Sequence, residues 1–83
     1  MEEHVRSVVR QFIVDSWLSG DARGFDDRTD LLESGILDSF ATLSLIGFLE
    51  ETFKVQLDPA DVNPSTFATV DTIARLVLQK TST

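Results

Sequence analysis

The 83-residue sequence contains no cysteine. Neither a disulfide framework nor a thiolate metal site can therefore stabilise the fold. A single domain of this size lies near the lower limit at which an apolar core alone supports folding. Core packing must supply the stability, and any thioester chemistry would need a sulfur atom from outside the chain.

Long hydrophobic runs are also missing. No window of the sequence approaches the roughly 18 apolar residues that a bilayer-spanning helix requires. The first four residues, Met-Glu-Glu-His, lack the basic region that opens a secretory signal. We therefore expect a cytoplasmic location and no insertion into membranes.

Positive charge is scarce, with seven Lys and Arg against 14 Asp and Glu and a net charge of −7. The resulting field repels phosphate backbones and attracts basic surfaces, so nucleic acid is not an expected partner. The hydrophobic share of 42%, with six Phe, is too high for a disordered acidic segment. Residues 1–83 are expected to form a single folded domain.

Apolar residues near the start recur at three- and four-residue spacing, which predicts an amphipathic helix over about residues 3–18 that Gly20 ends. The helical face comprises Val5, Val8, Val9, Phe12, Ile13 and Trp17. Turn and cap residues dominate from 19 to 37, which predicts a long loop, and loops of this length are often functional. Four apolar residues are expected to attach the loop to the core: Leu31, Leu32, Ile36 and Leu37.

A second helix is predicted from the Asp38 cap to about Phe53. Leu45 and Phe48 lie beside its main apolar stripe, so the helix is apolar over more than half of its circumference. Such a helix is either central in the packing or keeps a hydrophobic contact surface for another molecule. The predicted stripe comprises Phe40, Leu43, Ile46, Leu49 and Phe53.

The remainder predicts an extended stretch over 55–57 and a short helical turn over 58–62, begun by Pro59 and stopped by Pro64. Thr69 then caps a last helix that runs to about Lys80. Its inward face comprises Val70, Ile73, Ala74, Val77 and Leu78. The predicted fold class is all-α: a small bundle of three main helices plus one short helix, with a long first loop.

The pair Asp38-Ser39 stands where the long loop enters the second helix. Asp and Ser are common helix starters, so the pair alone is most simply an ordinary cap. Because Asp38 already serves as the cap, Ser39 is left as an exposed hydroxyl beside unpaired backbone N–H groups. The positive end of the helix dipole at this point suits a phosphate.

Three segments resemble one known family, the phosphopantetheine-dependent carrier proteins of fatty acid, polyketide, nonribosomal peptide and D-alanyl transfer pathways. The resemblance covers nearly the whole chain. It implies a carrier domain over residues 1–83 in which Ser39 bears 4′-phosphopantetheine and Asp38 completes the motif. The segments are Leu31-Leu32-Glu33-Ser34-Gly35 leading to Asp38-Ser39, Leu49-Glu50-Glu51-Thr52-Phe53, and Phe67-Ala68-Thr69-Val70-Asp71-Thr72-Ile73-Ala74.

The same resemblance implies a division of labour. A separate phosphopantetheinyl transferase, using coenzyme A and Mg²⁺, would modify Ser39. The carrier, not itself an enzyme, would hold an acyl or aminoacyl group as a thioester. A loading (adenylating) enzyme would supply the cargo and an acyltransferase or synthase would receive it. A monomer is expected.

One departure from the family bears on the pathway. Carriers of bacterial fatty acid synthesis usually have acidic residues soon after the serine, whereas this sequence has Ala41 and Ser44 there. Because charge at an interface governs partner choice, the partners are expected to differ from the general fatty acid enzymes. The sequence is more similar to D-alanyl carrier proteins or to a dedicated freestanding carrier.

Five residues of the second helix are candidates for partner binding. Phe48 is equally well explained by core packing, and the two glutamates by an ordinary exposed helical face that could receive Arg or Lys from a partner. The candidates are Phe40, Leu43, Phe48, Glu50 and Glu51.

Two other sites are rejected. An EF-hand loop starting at Asp21 would place Arg23 and Phe25 at ligand positions and Leu32 where the bidentate glutamate belongs, so no metal site is expected. Trp17, at helical spacing, is assigned to the core rather than to a cofactor.

Two other functions remain as alternatives. A non-enzymatic acidic helical adaptor would have the same fold and an unmodified Ser39. A serine hydrolase using Ser39 with His4 is weaker, because the chain lacks a Gly-x-Ser-x-Gly elbow and is too short to enclose a substrate pocket.

Overall fold

The computed structural model describes residues 2–18, 20 and 25–81 of the chain. None of the helices in this part of the chain has the length and apolar character that a bilayer crossing requires. No strand occurs in the described ranges, which confirms the predicted all-α class with three main helices and one short helix. The elements are α1 (Glu2–Trp17), α2 (Ser39–Phe53), a short 3-10 helix (Pro59–Asp61) and α3 (Val70–Thr81).

Helix α1 ends where the sequence predicts. The N–H groups of Leu18 and Gly20 both donate to the Val14 carbonyl, at 3.1 and 3.0 Å. Gly20 has φ = 79°, a left-handed conformation that glycine adopts at little cost. Residue 19 and residues 21–24, which include Asp21 and Arg23 of the rejected calcium loop, lie outside the described residues.

The core forms where α1 and α3 pack together and α2 closes over them. The buried faces of α1 and α3 confirm the predicted periodicity, with Val14 and Leu76 as additional members and Val8, Phe12, Trp17 and Leu78 only half-buried. Among the described residues, no polar or charged side chain is buried. The fully buried side chains are Val9, Ile13, Leu31, Leu45, Leu49, Phe67, Val70, Ile73 and Val77.

The loop that leads to α2 is attached to the core by two leucines. Leu31 and Leu37 are buried, and the Leu31 N–H donates to the Ala68 carbonyl at 2.7 Å. The Leu37 N–H in turn donates to the Leu31 carbonyl at 2.9 Å. Leu32, also expected to attach the loop, is instead 37% exposed. The loop segment before α2 is thereby held at a fixed place on the bundle.

An ionic cluster attaches the earlier part of the loop. The Asp27 carboxylate lies 3.4 Å from Nε of Arg6 and accepts a hydrogen bond from the guanidinium of Arg10. The Asp27 backbone carbonyl accepts the Asp71 N–H at 3.1 Å. The hydrogen bond with Asp27 raises the pKa of Arg10. Asp27 therefore joins the loop to α1 and α3, although acidic residues in a loop rich in turn residues are more often solvated.

The face that α2 presents to the core differs from the predicted stripe. Its buried residues are Ala41, Leu45 and Leu49. Phe40 and Leu43, placed on the main stripe by the sequence, are 77% and 69% exposed. A helix that is apolar nearly all round offers several possible faces, so periodicity alone does not fix which one is buried. Helix α2 therefore keeps large apolar side chains exposed at its surface.

Candidate functional site

Asp38 fixes the start of α2. Its backbone is extended, with φ = −104° and ψ = −171°, and its carboxylate accepts the Ala41 N–H at 2.8 Å. Its carbonyl oxygen accepts both the N–H of Thr42, at 2.9 Å, and the hydroxyl of Thr42, at 2.7 Å. Such caps typically contribute about 1 kcal/mol of stability. Asp38 therefore has the capping role that the sequence predicts.

Ser39 is the first residue of α2 and its side chain is exposed. The Ser39 hydroxyl forms no hydrogen bond with any residue in the described part of the chain. The N–H groups of the first helical turn point outward along the axis, with acceptors inside the helix available only from the second turn onward. Together with the helix dipole they create a partial positive charge beside the hydroxyl.

Gly35 shapes the approach to this site. It adopts φ = 82°, a conformation that side chains disfavour, directly before the two residues that lead to Asp38. Its N–H donates to the Leu32 carbonyl at 3.2 Å, which closes the turn. The chain thus turns back sharply and delivers Asp38 and Ser39 at the surface of the bundle.

Two open clefts flank the start of α2. The larger, of about 580 Å³, includes Ser39 and is lined otherwise mainly by apolar side chains, among them Leu32, Leu43 and Val62. The smaller, of about 370 Å³, lies on the other side of Asp38 and includes Trp17 and Phe40. Among the residues that the structure describes, Asp38 is the only charged one in either lining, so these residues place no cluster of carboxylates where the phosphate would lie. An exposed hydroxyl, free N–H groups and accessible clefts fit a covalently attached phosphate with a long arm.

The structure separates the candidate partner-binding residues. Phe40 and Leu43 are exposed beside Ser39, and Glu51 is exposed farther along α2. Phe48 is half-buried and stacks on Phe12, with ring centroids 3.9 Å apart and an interplanar angle of 15°.

Glu50 makes a contact within the chain instead. Its carboxylate accepts the N–H of Leu57 at 2.9 Å. This bond holds the extended segment that follows α2. Glu50 is therefore engaged in the fold, unlike Glu51, and does not belong to a uniformly exposed acidic face.

Two residues at the clefts were not predicted there. Val62, just after the 3-10 helix, lines the cleft that includes Ser39. Trp17, expected only in the core, packs edge-on against Phe12 with centroids 5.4 Å apart and also lines the smaller cleft. For Trp17 the available signal was its place at the end of α1, next to the loop that returns the chain to Ser39.

Comparison with known proteins decides the family. A family model described as "Phosphopantetheine attachment site" matches residues 13–77, most of the chain. The chain belongs to this family. It is an acyl or aminoacyl carrier with covalently attached 4′-phosphopantetheine, and it is not an enzyme.

Individual relatives agree with this assignment. A probable acyl carrier protein, PigG, from a Serratia species is 37% identical over 65 residues, covering 78% of this chain and 75% of that protein. A D-alanyl carrier protein of Lactococcus lactis subsp. cremoris is 40% identical over 52 residues, covering 63% of this chain and 66% of that protein. Carrier proteins of this family work with phosphopantetheinyl transferases and with biosynthetic enzymes.

A solved structure shares the fold. A chain in a crystal structure described as that of an FAD-dependent dehydrogenase superposes with a TM-score of 0.76 and 37% sequence identity. The alignment covers 82% of this carrier and 96% of that chain. The helical arrangement is therefore that of a known carrier-sized domain.

Proposed function

We propose that Ser39 is the attachment point of the phosphopantetheine arm and that residues 1–83 act as one carrier domain. The observation that supports this most directly is the exposed hydroxyl at the start of α2, next to an Asp38 carboxylate that caps the helix by accepting the Ala41 N–H. Capping of the helix by Asp38 and the proposed modification of Ser39 thus involve two different, adjacent residues. The modified oxygen is not needed to hold the helix together.

The modification forms one bond and breaks one. The Ser39 oxygen attacks the β-phosphate of coenzyme A, its proton passes to a base on the transferase, and adenosine 3′,5′-bisphosphate leaves. Mg²⁺ would be held by the transferase, where it would offset charge on the pyrophosphate. When bound, the group supplies a thiol that carries the acyl or aminoacyl cargo as a thioester.

The chain's own residues present the group. The N–H groups at the start of α2 and the helix dipole favour the phosphodiester charge at Ser39. Asp38 holds the first turn in a single geometry through its bonds to Ala41 and Thr42. Covalent tethering raises the effective concentration of cargo at each partner without tight binding of the carrier.

The exposed residues beside Ser39 are the proposed partner surface. Phe40 and Leu43 supply large apolar side chains there, and Glu51 adds a carboxylate farther along α2. Phe48 and Glu50, both engaged within the chain, are proposed to contribute at the edge of this surface only. Exposed apolar side chains next to a reaction centre are typical of protein contact sites.

The wider setting is part of the proposal. The net charge of −7 supports basic protein partners and argues against nucleic acid. We propose a monomer in the cytoplasm, loaded by an adenylating enzyme and unloaded by an acyltransferase or synthase.

An oxidising enzyme is a further proposed partner. The alignment with the dehydrogenase structure covers 96% of the matched chain but only 82% of this carrier, which shows that the matched chain is the shorter of the two. Such a length suits a carrier domain and is too short for a domain that binds FAD. In an oxidation by a flavin-dependent dehydrogenase, the cargo held on the carrier would lose a hydride to the flavin and a proton to a base on the dehydrogenase.

Attachment of phosphopantetheine by the transferase, which is called loading from here on, tests the carrier function itself. The purified chain is incubated with coenzyme A, Mg²⁺ and a broad-specificity phosphopantetheinyl transferase, and its intact mass is recorded. We expect a gain of one phosphopantetheine. No gain, under conditions that load a control carrier, would favour the adaptor alternative.

Partner binding beside Ser39 should depend on apolar contact more than on charge. Replacing Phe40 and Leu43 together by Ser should raise the KM for loading roughly tenfold or more, because exposed apolar anchors dominate interface energies. The KM of the wild-type chain at high salt should differ from its KM at low salt by less than the KM of the double variant differs from that of the wild type. Steady-state loading kinetics measure both, and a KM that follows salt but ignores the substitution would contradict the proposal.

A further inference from the structure

One glycine of α2 has no structural reason in the isolated carrier. Gly47 lies in the middle of the helix, is exposed, and does not have a positive φ. A Cβ built on Gly47 would meet no atom within 4 Å. Glycine at a helix interior weakens the helix relative to alanine. The carrier therefore gives up helix stability at this position without any gain within its own fold.

The position of Gly47 on α2 indicates what it could serve. Phe40, Leu43, Gly47 and Glu51 follow one another at spacings of three and four residues, so they share one helical face. This face lies opposite the buried residues of α2, and all four residues are exposed. Because Gly47 has no side chain, it leaves a shallow depression on this face between the apolar residues Phe40 and Leu43 and the acidic residue Glu51.

Gly47 lies close enough to Ser39 to be contacted by an enzyme that acts at Ser39. Gly47 follows Ser39 by eight positions of α-helix, or about 12 Å along the axis. A standard interface covers about 800 Å² of each partner, equivalent to a disc of roughly 16 Å radius. An interface of this size that is centred near Ser39 and includes Phe40 and Leu43 is therefore wide enough to include Gly47.

We infer that Gly47 is a specificity-determining position at which the phosphopantetheinyl transferase packs closely on α2, an inference that rests on the proposed attachment at Ser39. The missing side chain lets a backbone segment or a bulky apolar side chain of the transferase lie directly against the helix. A basic group of the transferase beside Glu51 would match the charge at that end of the face. Any side chain at position 47 would separate these surfaces.

The test uses substitutions that should stabilise the carrier while impairing its loading. Gly47→Ala should raise the Tm of the free carrier by about 3 to 6 °C. The same substitution should lower kcat/KM for loading by roughly threefold, and Gly47→Gln by roughly tenfold or more, mainly through KM. Thermal unfolding followed by circular dichroism and loading followed by intact mass measure the two effects.

Thr52→Ala and Thr52→Gln are the matched controls. Thr52 is also exposed on α2 but lies off this face, and both replacements raise helix propensity in the same way. They should leave kcat/KM within about twofold of wild type. Unchanged kcat/KM in both Gly47 variants would overturn the inference while the wild-type chain still gains its phosphopantetheine. A lowered Tm in Gly47→Ala would also overturn it, because Gly47 would then serve the fold.

Discussion

Ser39→Ala should abolish loading completely. The substitution removes the oxygen that we propose attacks coenzyme A, and no change in conditions can replace it. The effect on stability should be small, because the Ser39 side chain is exposed and forms no hydrogen bond in the described part of the chain. Intact mass after incubation with coenzyme A, Mg²⁺ and the transferase should remain that of the unmodified chain, while the helical circular dichroism signal stays unchanged.

Two neighbouring serines provide the controls. Ser34 and Ser44 are also exposed, one on the loop before α2 and one on α2 itself. Ser34→Ala and Ser44→Ala should both gain one phosphopantetheine, since neither stands at the start of a helix next to its cap. If Ser39→Ala gained the full mass, the attachment point would lie elsewhere even though the chain is a carrier. Loss of loading in all three variants would indicate damage to the transferase-binding surface instead.

The positions of the helices follow from local signals in the sequence. Asp38 precedes α2, Thr69 precedes α3, and Gly20 follows α1, and each makes the local contact that its residue type favours. The N–H of Thr72 donates to the Thr69 hydroxyl at 3.2 Å, and the Thr69 N–H donates to the Thr72 hydroxyl at 3.0 Å. Because such caps act over three residues, the sequence alone predicts them well.

The surroundings of the site depend on contacts between distant segments, which local patterns do not contain. The helical pattern predicts an exposed position for Glu50, but Lys54 adopts a left-handed conformation with φ = 56° and turns the chain back after α2. The N–H of Leu57 thereby meets the Glu50 carboxylate. Val62 reaches the cleft beside Ser39 through the same return of the chain. Neither position could be predicted without knowing this path.

The buried face of α2 also differs from the stripe that the sequence predicts, and truncating a single leucine tests it. Leu45 is fully buried, so Leu45→Ala should cost about 2 to 5 kcal/mol through lost apolar burial and the cavity left behind. A domain of this size has a total stability of only about 4 to 12 kcal/mol. The substitution should therefore remove a large part of the free energy of unfolding, measured by urea denaturation with circular dichroism and Trp17 fluorescence.

Leu43→Ala is the matched comparison on the same helix. It deletes the same atoms from a side chain that is 69% exposed, so its effect on the free energy of unfolding should stay within about 0.5 kcal/mol. Its effect should instead appear in the KM for loading, because Leu43 lies on the proposed partner surface. A loss of stability in Leu43→Ala as large as that in Leu45→Ala would mean that Leu43 is buried too, as the stripe predicted from the sequence requires. Leu43 would then not be available to a partner, and the surface proposed beside Ser39 would lose one of its two large apolar side chains.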